Sequence, residues 1–501
     1  MYLQHLYPTP VSVREDPDMP AFRFGAAVTA YVTSAMTPDC AERLRAVWNR
    51  FCCTASVLEI RKDLFTGDLF DEKQTEETPF ILHIGGTSFL ASQPKLRKPE
   101  DSYAIRVTAE GVILEAKDEK TLIEGFMTLV QLIIPEDLGE GSERFSVTAA
   151  EVHDAPAIGM RAVHLCIFPE SAMSTIEKAI HLAGFLKMTH VVLEFWGTYE
   201  YKTMRELSWR GKAHTYTEMK RLTDLIRSYG MEVIPMINHF GHATASRGGM
   251  GRHVVLNAAP RRAKLFEPDG WTWCLSNPDT WKLLASMREE LYDLCGAGSY
   301  FHLGFDEAYS YATCPACRAR VPYELLAEYV NRLTEDVVSK GRRPILWHDE
   351  FINGGDFAGK IQSPVVANGQ SHNTAPALDL LDRRAIIADW QYDYKNGENA
   401  TTRYFMDKGF DVILSPWDGR ENIRSLCANA KDFGAYGVML TTWHHLPAYL
   451  MNFPSTADMV WKRDTSASWN PLTESAAILR TLYDTDGDFD ASGWNSFEVE
   501  Q

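Results

Sequence analysis

The stretch YFHLGFDEAY, residues 300–309, carries an apolar run that stops on two adjacent acids, Asp306 and Glu307. Carboxylates are costly at the end of a buried strand, so a pair kept there suggests chemistry more than solvation. Neighbouring side chains on a regular strand point to opposite faces. The two acids therefore share a pocket only where the strand gives way to a loop, and they then lie on one side of whatever binds.

Other apolar runs end in the same vocabulary. Their last residues are Glu194, Asn238 to His242, Trp347 to Glu350, Trp390, Trp417 with Asp418, and Trp443 to His445. Any one Trp or His alone reads more naturally as a core cap. Agreement in phase across seven runs is harder to assign to packing. Indole faces covering the apolar side of a ring, with acids and amides reaching hydroxyls, are what a sugar pocket requires. Acids that flank a glycosidic bond stand about 5–5.5 Å apart for retention and about 6.5–9.5 Å apart for inversion. Adjacent residues suit neither spacing, so Glu307 reads as a general acid and Asp306 as an orienting group.

The elements that would position these residues follow a regular order. From residue 160 onward, RAVHLCIF, THVVLEFW, MEVIPMIN, YFHLGFDE, RPILWHDE, AIIADW, DVILSPWD and GVMLTTWHH alternate with amphipathic helical stretches such as PYELLAEYVNRLTEDVVSKG. Eight strand–helix units in about 290 residues is the count and size of a (β/α)8 TIM barrel, whose working face lies at the strand C-termini. An open doubly wound sheet is the alternative, but no Gly-rich turn follows the first strand to support it. Residues 1–155 read as an N-terminal α+β accessory domain, with strands in ETPFILHIGG, DSYAIRVTAEGVILEA and RFSVTAAEV and a helix in EKTLIEGFMTLVQLIIPE closed by Pro135. The barrel then occupies 156–460, and 461–501 a C-terminal helix and acidic tail.

Composition narrows the class. The chain has 501 residues, 45% of them hydrophobic, and a formal charge of −17, which argues against nucleic acid or an anionic membrane as partner. The N-terminus lacks a basic segment followed by an apolar one, and the nine cysteines sit mostly in apolar runs, so a cytoplasmic protein with reduced thiols is expected. No cofactor is expected. CPAC at 314–317 has the spacing of half a zinc site, but no second pair stands out, and Cys274 and Cys295 look isolated. The Gly-rich segment 243–257 lacks phosphate-loop spacing and reads as a substrate-covering loop.

HLGFDE resembles the His-x-Gly-x-Asp-Glu signature of glycoside hydrolase family 20, the β-N-acetylhexosaminidases. GMRAVHL resembles that family's first barrel strand, which implies that Arg161 binds sugar hydroxyls. VIPMINHFGHA is similar to the third-strand motif ending in Gly241 and His242, and Trp347, Trp390 and Trp443 fall where the family's aromatic box falls. The likeness spans about 460 residues and feels closest to the intracellular hexosaminidase D-like branch.

The resemblance implies exo-acting hydrolysis of terminal β-linked GlcNAc or GalNAc by a retaining, substrate-assisted route. The acetamido group is then the nucleophile, Asp306 orients it, and Glu307 is the acid/base with a raised pKa. Departures are visible. Asn238 stands in the third-strand motif, Glu194 or Glu200 in place of a second-strand acid, and Tyr392, or Trp417 with Asp418, in place of a Tyr-x-Asp. His445 stands where a Glu is usual. Two rivals remain: a non-catalytic glycan-binding protein, and a retaining glycosidase whose nucleophile is Asp349 or Glu350. The partner implied is an N-acetylhexosamine-containing glycan, and a homodimer completing the pocket is possible.

Overall fold

Alternation of β-branched runs with amphipathic helices gives eight parallel strands that close into a barrel. They are Met160–Ile167, His190–Phe195, Glu232–Met236, Tyr300–His302, Arg343–Trp347, Ile386–Asp389, Asp411–Leu414 and Gly437–Thr441, each paired with the next and the last with the first. The computed structural model describes residues 6–24, 30–32, 36–48, 80–85, 96–136, 144–168, 171–195, 197–209, 211–243, 259–361, 366–443 and 446–462. Each of the eight expected runs holds one strand. Ala162, Val192, Ile234, Ile345, Ile386 and Met439 fill the barrel interior, while alternate residues such as Val163, Val191 and Val233 face the helices. That inside–outside alternation is the period-2 rule applied to a closed sheet.

The helical layer departs from the expectation at one unit. After the fifth strand, the described residues form only short 3-10 turns at Asp349–Phe351, Gly354–Phe357 and Ala375–Leu380. The segment from Asn353 to Pro376 is dense in Gly, Asn and Pro, which disfavour a helix interior. The acidic tail and the Gly-rich 244–258 segment lie outside the described residues.

Before the barrel, six strands form one sheet in the order Ser12–Glu15, Ala150–Asp154, Tyr103–Thr108, Gly111–Ala116, Phe80–Ile84, Ala30–Val32. The helix Glu119–Leu132 packs on it, with Asp118 and Thr121 forming a reciprocal cap. Pro135 does not close that helix. The chain turns extended at Ile133, and Pro135 lies in Ile133–Glu136, an edge strand of a separate three-stranded sheet, where a missing N–H is tolerated.

Buried charges join this layer to the floor of the barrel. Arg161, expected to bind sugar, is the second residue of the first strand and so lies at its entry end, away from the strand C-termini. Its guanidinium pairs with Glu124, donates to the carbonyls of Lys187 at 3.0 Å and Ile158 at 2.9 Å, and stacks 4.8 Å from the Trp461 ring. Lys187 is fully buried beside it, donating to Tyr103 Oη at 2.9 Å and Thr128 Oγ1 at 2.6 Å, and burial lowers its pKa to about 8. Arg161 is therefore a positioning residue, a correction to the sugar-binding expectation. Removing one partner of a buried ion pair costs about 3–5 kcal/mol. Arg161→Met should accordingly lower the melting temperature while kcat/KM for the sugar substrate expected from the sequence stays near wild type in the surviving folded fraction. A rise in KM without loss of stability would return Arg161 to the sugar site.

Candidate active site

The strand that carries the paired acids is short because its backbone leaves the β region early. After His302, Gly304, Phe305 and Glu307 all take positive φ, at 73°, 86° and 51°. A non-glycine residue in that region is strained, and such strain gathers at functional sites. Here it breaks the alternation of side chains and turns Asp306 and Glu307 towards one imidazole. A Cβ on Gly304 would sit 1.8 Å from Asn238 Oδ1, and one on Gly241 would sit 2.0 Å from the Asp306 carbonyl oxygen. Both glycines are required by close approach.

His242, itself at φ 52°, reaches both acids: Nε2 lies 3.3 Å from Asp306 Oδ2 and 3.2 Å from Glu307 Oε2. Burial alone would suppress its protonation, but the two carboxylates outweigh it and raise the imidazole well above its ordinary value. Asp306 is raised, first by burial, with His242 opposing. Glu307 behaves contrary to expectation. Burial pushes it up, yet hydrogen bonds from His242 and Tyr309 and the imidazolium charge bring its pKa below the usual value. An apolar wall and the negative charge of Asp306 were expected to raise it together, which left out the cation in the loop after the third strand. Asp306 Oδ1 is buried with no hydrogen-bond partner among the described residues.

The fifth-strand acids support this turn from behind. Asp349 Oδ2 accepts the Glu307 N–H at 2.9 Å and Asn368 Nδ2 at 2.7 Å, and its Oδ1 accepts Trp390 Nε1 at 3.2 Å. Glu350 Oε1 accepts the Ala308 N–H at 2.8 Å, and Thr374 Oγ1 reaches Oε2 at 3.2 Å. Both are fully buried, and burial raises Glu350 to about 7 and Asp349 well above its usual range. Carboxylates so enclosed and so engaged present no oxygen to an anomeric carbon, which removes the basis for a fifth-strand nucleophile.

The remaining candidates divide cleanly. Glu194 bridges His164 Nε2 at 2.9 Å and Asn238 Nδ2 at 2.7 Å, whereas Glu200 is exposed. Glu194, Met236, Asn238, His242 and Trp273 line a narrow cleft. Trp347 and Trp443 lie 6.2 Å apart with His164 against both, and Trp443 Nε1 donates to Tyr392 Oη at 3.0 Å. Tyr392 in turn packs between Trp390 and Trp417. Asp418 is exposed and accepts the Gly419 N–H of its own turn, so the structure does not bring it into this group. His445 lies outside the described residues.

Sequence reasoning missed Trp271 and Tyr309. Trp271 packs 4.7 Å from His242, stacks on Tyr309, and donates Nε1 to the Glu307 carbonyl at 2.5 Å. The signal was the Trp-x-Trp of GWTWC, which stands in a loop rather than at a strand end.

A closed barrel with paired acids on a strained turn and an aromatic wall at its strand C-termini has the layout of a barrel enzyme's working face. Residues 188–420 match the family model described as glycosyl hydrolase family 20, catalytic domain. Among curated relatives, a Beta-hexosaminidase of Porphyromonas gingivalis is 23% identical over 304 residues, covering 54% of this chain and 38% of the relative. A Lacto-N-biosidase of Bifidobacterium bifidum is 20% identical over 278 residues, covering 53% and 24%. The chain thus matches well under half the length of either. A solved beta-N-acetylhexosaminidase from Bacteroides fragilis superposes with a TM-score of 0.66 at 18% identity, covering 95% of this chain and 94% of that one. At that identity the likeness shows the fold.

Proposed function

We propose that this protein is an exo-acting β-N-acetylhexosaminidase that releases terminal β-linked GlcNAc or GalNAc with retention, using the substrate's own acetamido group. The observation that carries this reading is the buried, unpartnered Oδ1 of Asp306 beside Glu307, set against fifth-strand acids that are wholly engaged. A carboxylate oxygen in that state calls for an N–H from a ligand. The substrate's acetamido N–H supplies it, and the acetamido carbonyl oxygen is thereby aimed at the anomeric carbon.

In the reaction so proposed, that oxygen attacks C1 as Glu307 protonates the departing glycosidic oxygen. The oxazolinium ion that forms is opened by water, from which Glu307 takes a proton. The resting site holds a proton on His242 and a charge on Glu307. Passing that proton across the 3.2 Å between them converts Glu307 to the acid without changing the site's proton count. Glu194, Asn238, Trp347, Trp390, Tyr392 and Trp443 enclose the sugar, with Tyr392 Oη suited to the acetamido carbonyl. The proposal extends to a cytoplasmic setting, supported by seven buried cysteines among the described residues that form no disulfide. No helix among them is long and apolar enough to cross a membrane.

A matched pair of aryl glycosides, one bearing a 2-acetamido group and one a plain hydroxyl, tests the route. Turnover of the acetamido sugar alone, with inhibition by a thiazoline analogue, is expected. Equal turnover of the plain glucoside would sink the proposal.

A further inference from the structure

We infer that the chain holds one structural zinc ion, bound by Cys274, Cys314, Cys317 and Glu267, which staples the loop after the third barrel strand to the loop after the fourth. Cys274, which looked isolated in the sequence, packs with its Sγ 3.5 Å from Cys314 Sγ and 3.6 Å from Cys317 Sγ. A disulfide would hold two of these sulfurs about 2.05 Å apart. A tetrahedral zinc with Zn–S bonds of about 2.3 Å spaces its sulfurs about 3.8 Å apart. All three thiols and Glu267 are buried, and one ligand atom from each lies within 4.8 Å of the others.

The fourth donor is held in place. Glu267 Oε2 accepts from Thr313 N at 3.0 Å, Thr313 Oγ1 at 3.1 Å and Cys314 N at 2.6 Å. Its Oε1 is buried, and the carboxylate lies against the Cys317 thiol. Cys314 caps the short helix Pro315–Arg318, so the Cys317 N–H points at Cys314 Sγ at 3.3 Å and fixes that sulfur in place. Three soft sulfurs and one carboxylate form a closed four-donor set, the make-up of a structural zinc site rather than a catalytic one. On binding, the thiols release their protons to solvent.

The staple matters because of what the two loops carry. Glu267 and Cys274 bracket Trp271, which packs on His242 and holds the Glu307 carbonyl. Cys314 follows Glu307 by only a few residues. Ser310 Oγ, bonded to Asp269 Oδ1 at 2.5 Å and Thr272 Oγ1 at 3.1 Å, closes the same seam.

The test is metal analysis of the full-length protein, purified without chelator, denatured and assayed for zinc. About one zinc per chain is expected, falling at least tenfold in Cys274→Ser and in Glu267→Ala with Cys317→Ser, but retained in Cys295→Ala. Cobalt substitution should give a thiolate-to-cobalt charge-transfer band that Cys274→Ser abolishes. Wild-type protein that folds with less than a tenth of a zinc per chain, or with a Cys274–Cys314 disulfide in its peptide map, would overturn the assignment. The readouts are metal content and spectrum, so a failure here and a failure of the hydrolase reading are separately visible.

Discussion

Glu307→Gln is expected to lose about 10²–10⁴ of kcat, the range assigned to a positioned proton-transfer group, while its affinity for the sugar product stays within a few-fold of wild type. The amide keeps the shape of the side chain but neither carries nor accepts the proton that the leaving oxygen needs. It also removes one of the two carboxylates that charge His242, so the imidazole should titrate lower in the variant than in wild type. An NMR titration of His242 would register that change whatever the kinetics. Wild-type-like turnover would remove Glu307 from the chemistry, and lost sugar binding would recast it as a binding residue.

The second large effect belongs to Asp306→Asn. The substitution replaces a buried acceptor with a group that can turn an N–H towards the acetamido N–H. Mispairing at a site of developing charge costs about 10²–10³ in kcat. Because the acetamido arm is the proposed nucleophile, the loss should follow a transition-state mimic more closely than the ground state. Affinity for a thiazoline should fall in proportion to kcat/KM, while affinity for plain GlcNAc falls much less. Equal weakening of both ligands would mean that Asp306 only binds, and leave the attack on the anomeric carbon without its aligning group.

The barrel and its eight strands were legible because buried parallel strands write themselves as short, β-branched runs at regular spacing. That the described residues after the fifth strand form only short 3-10 turns was not, since a count of units does not say which crossover departs from it. Asp306, Glu307, His242 and the tryptophans were legible through their common phase at strand ends. Trp271, Tyr309 and Cys274 were not, because loop packing unites residues that share no period. Arg161 shows the opposite error. A motif match identified the strand but not which end of it the residue occupied. Glu307 shows a third: neighbours in sequence predicted its charge environment, and a histidine from the loop after the third strand reversed the sign.

The buried floor has a consequence for dissection of the molecule. Tyr103, Thr128, Glu124 and Asp154 come from the N-terminal layer, Arg161 and Lys187 from the barrel, and Trp461 from its closing helix. A minimised gene beginning at the first barrel strand would strip two cations of their counterions and open an apolar underside to water. The described N-terminal layer is thus the foundation on which the mouth of the barrel stands, and the two halves should melt as a single cooperative body.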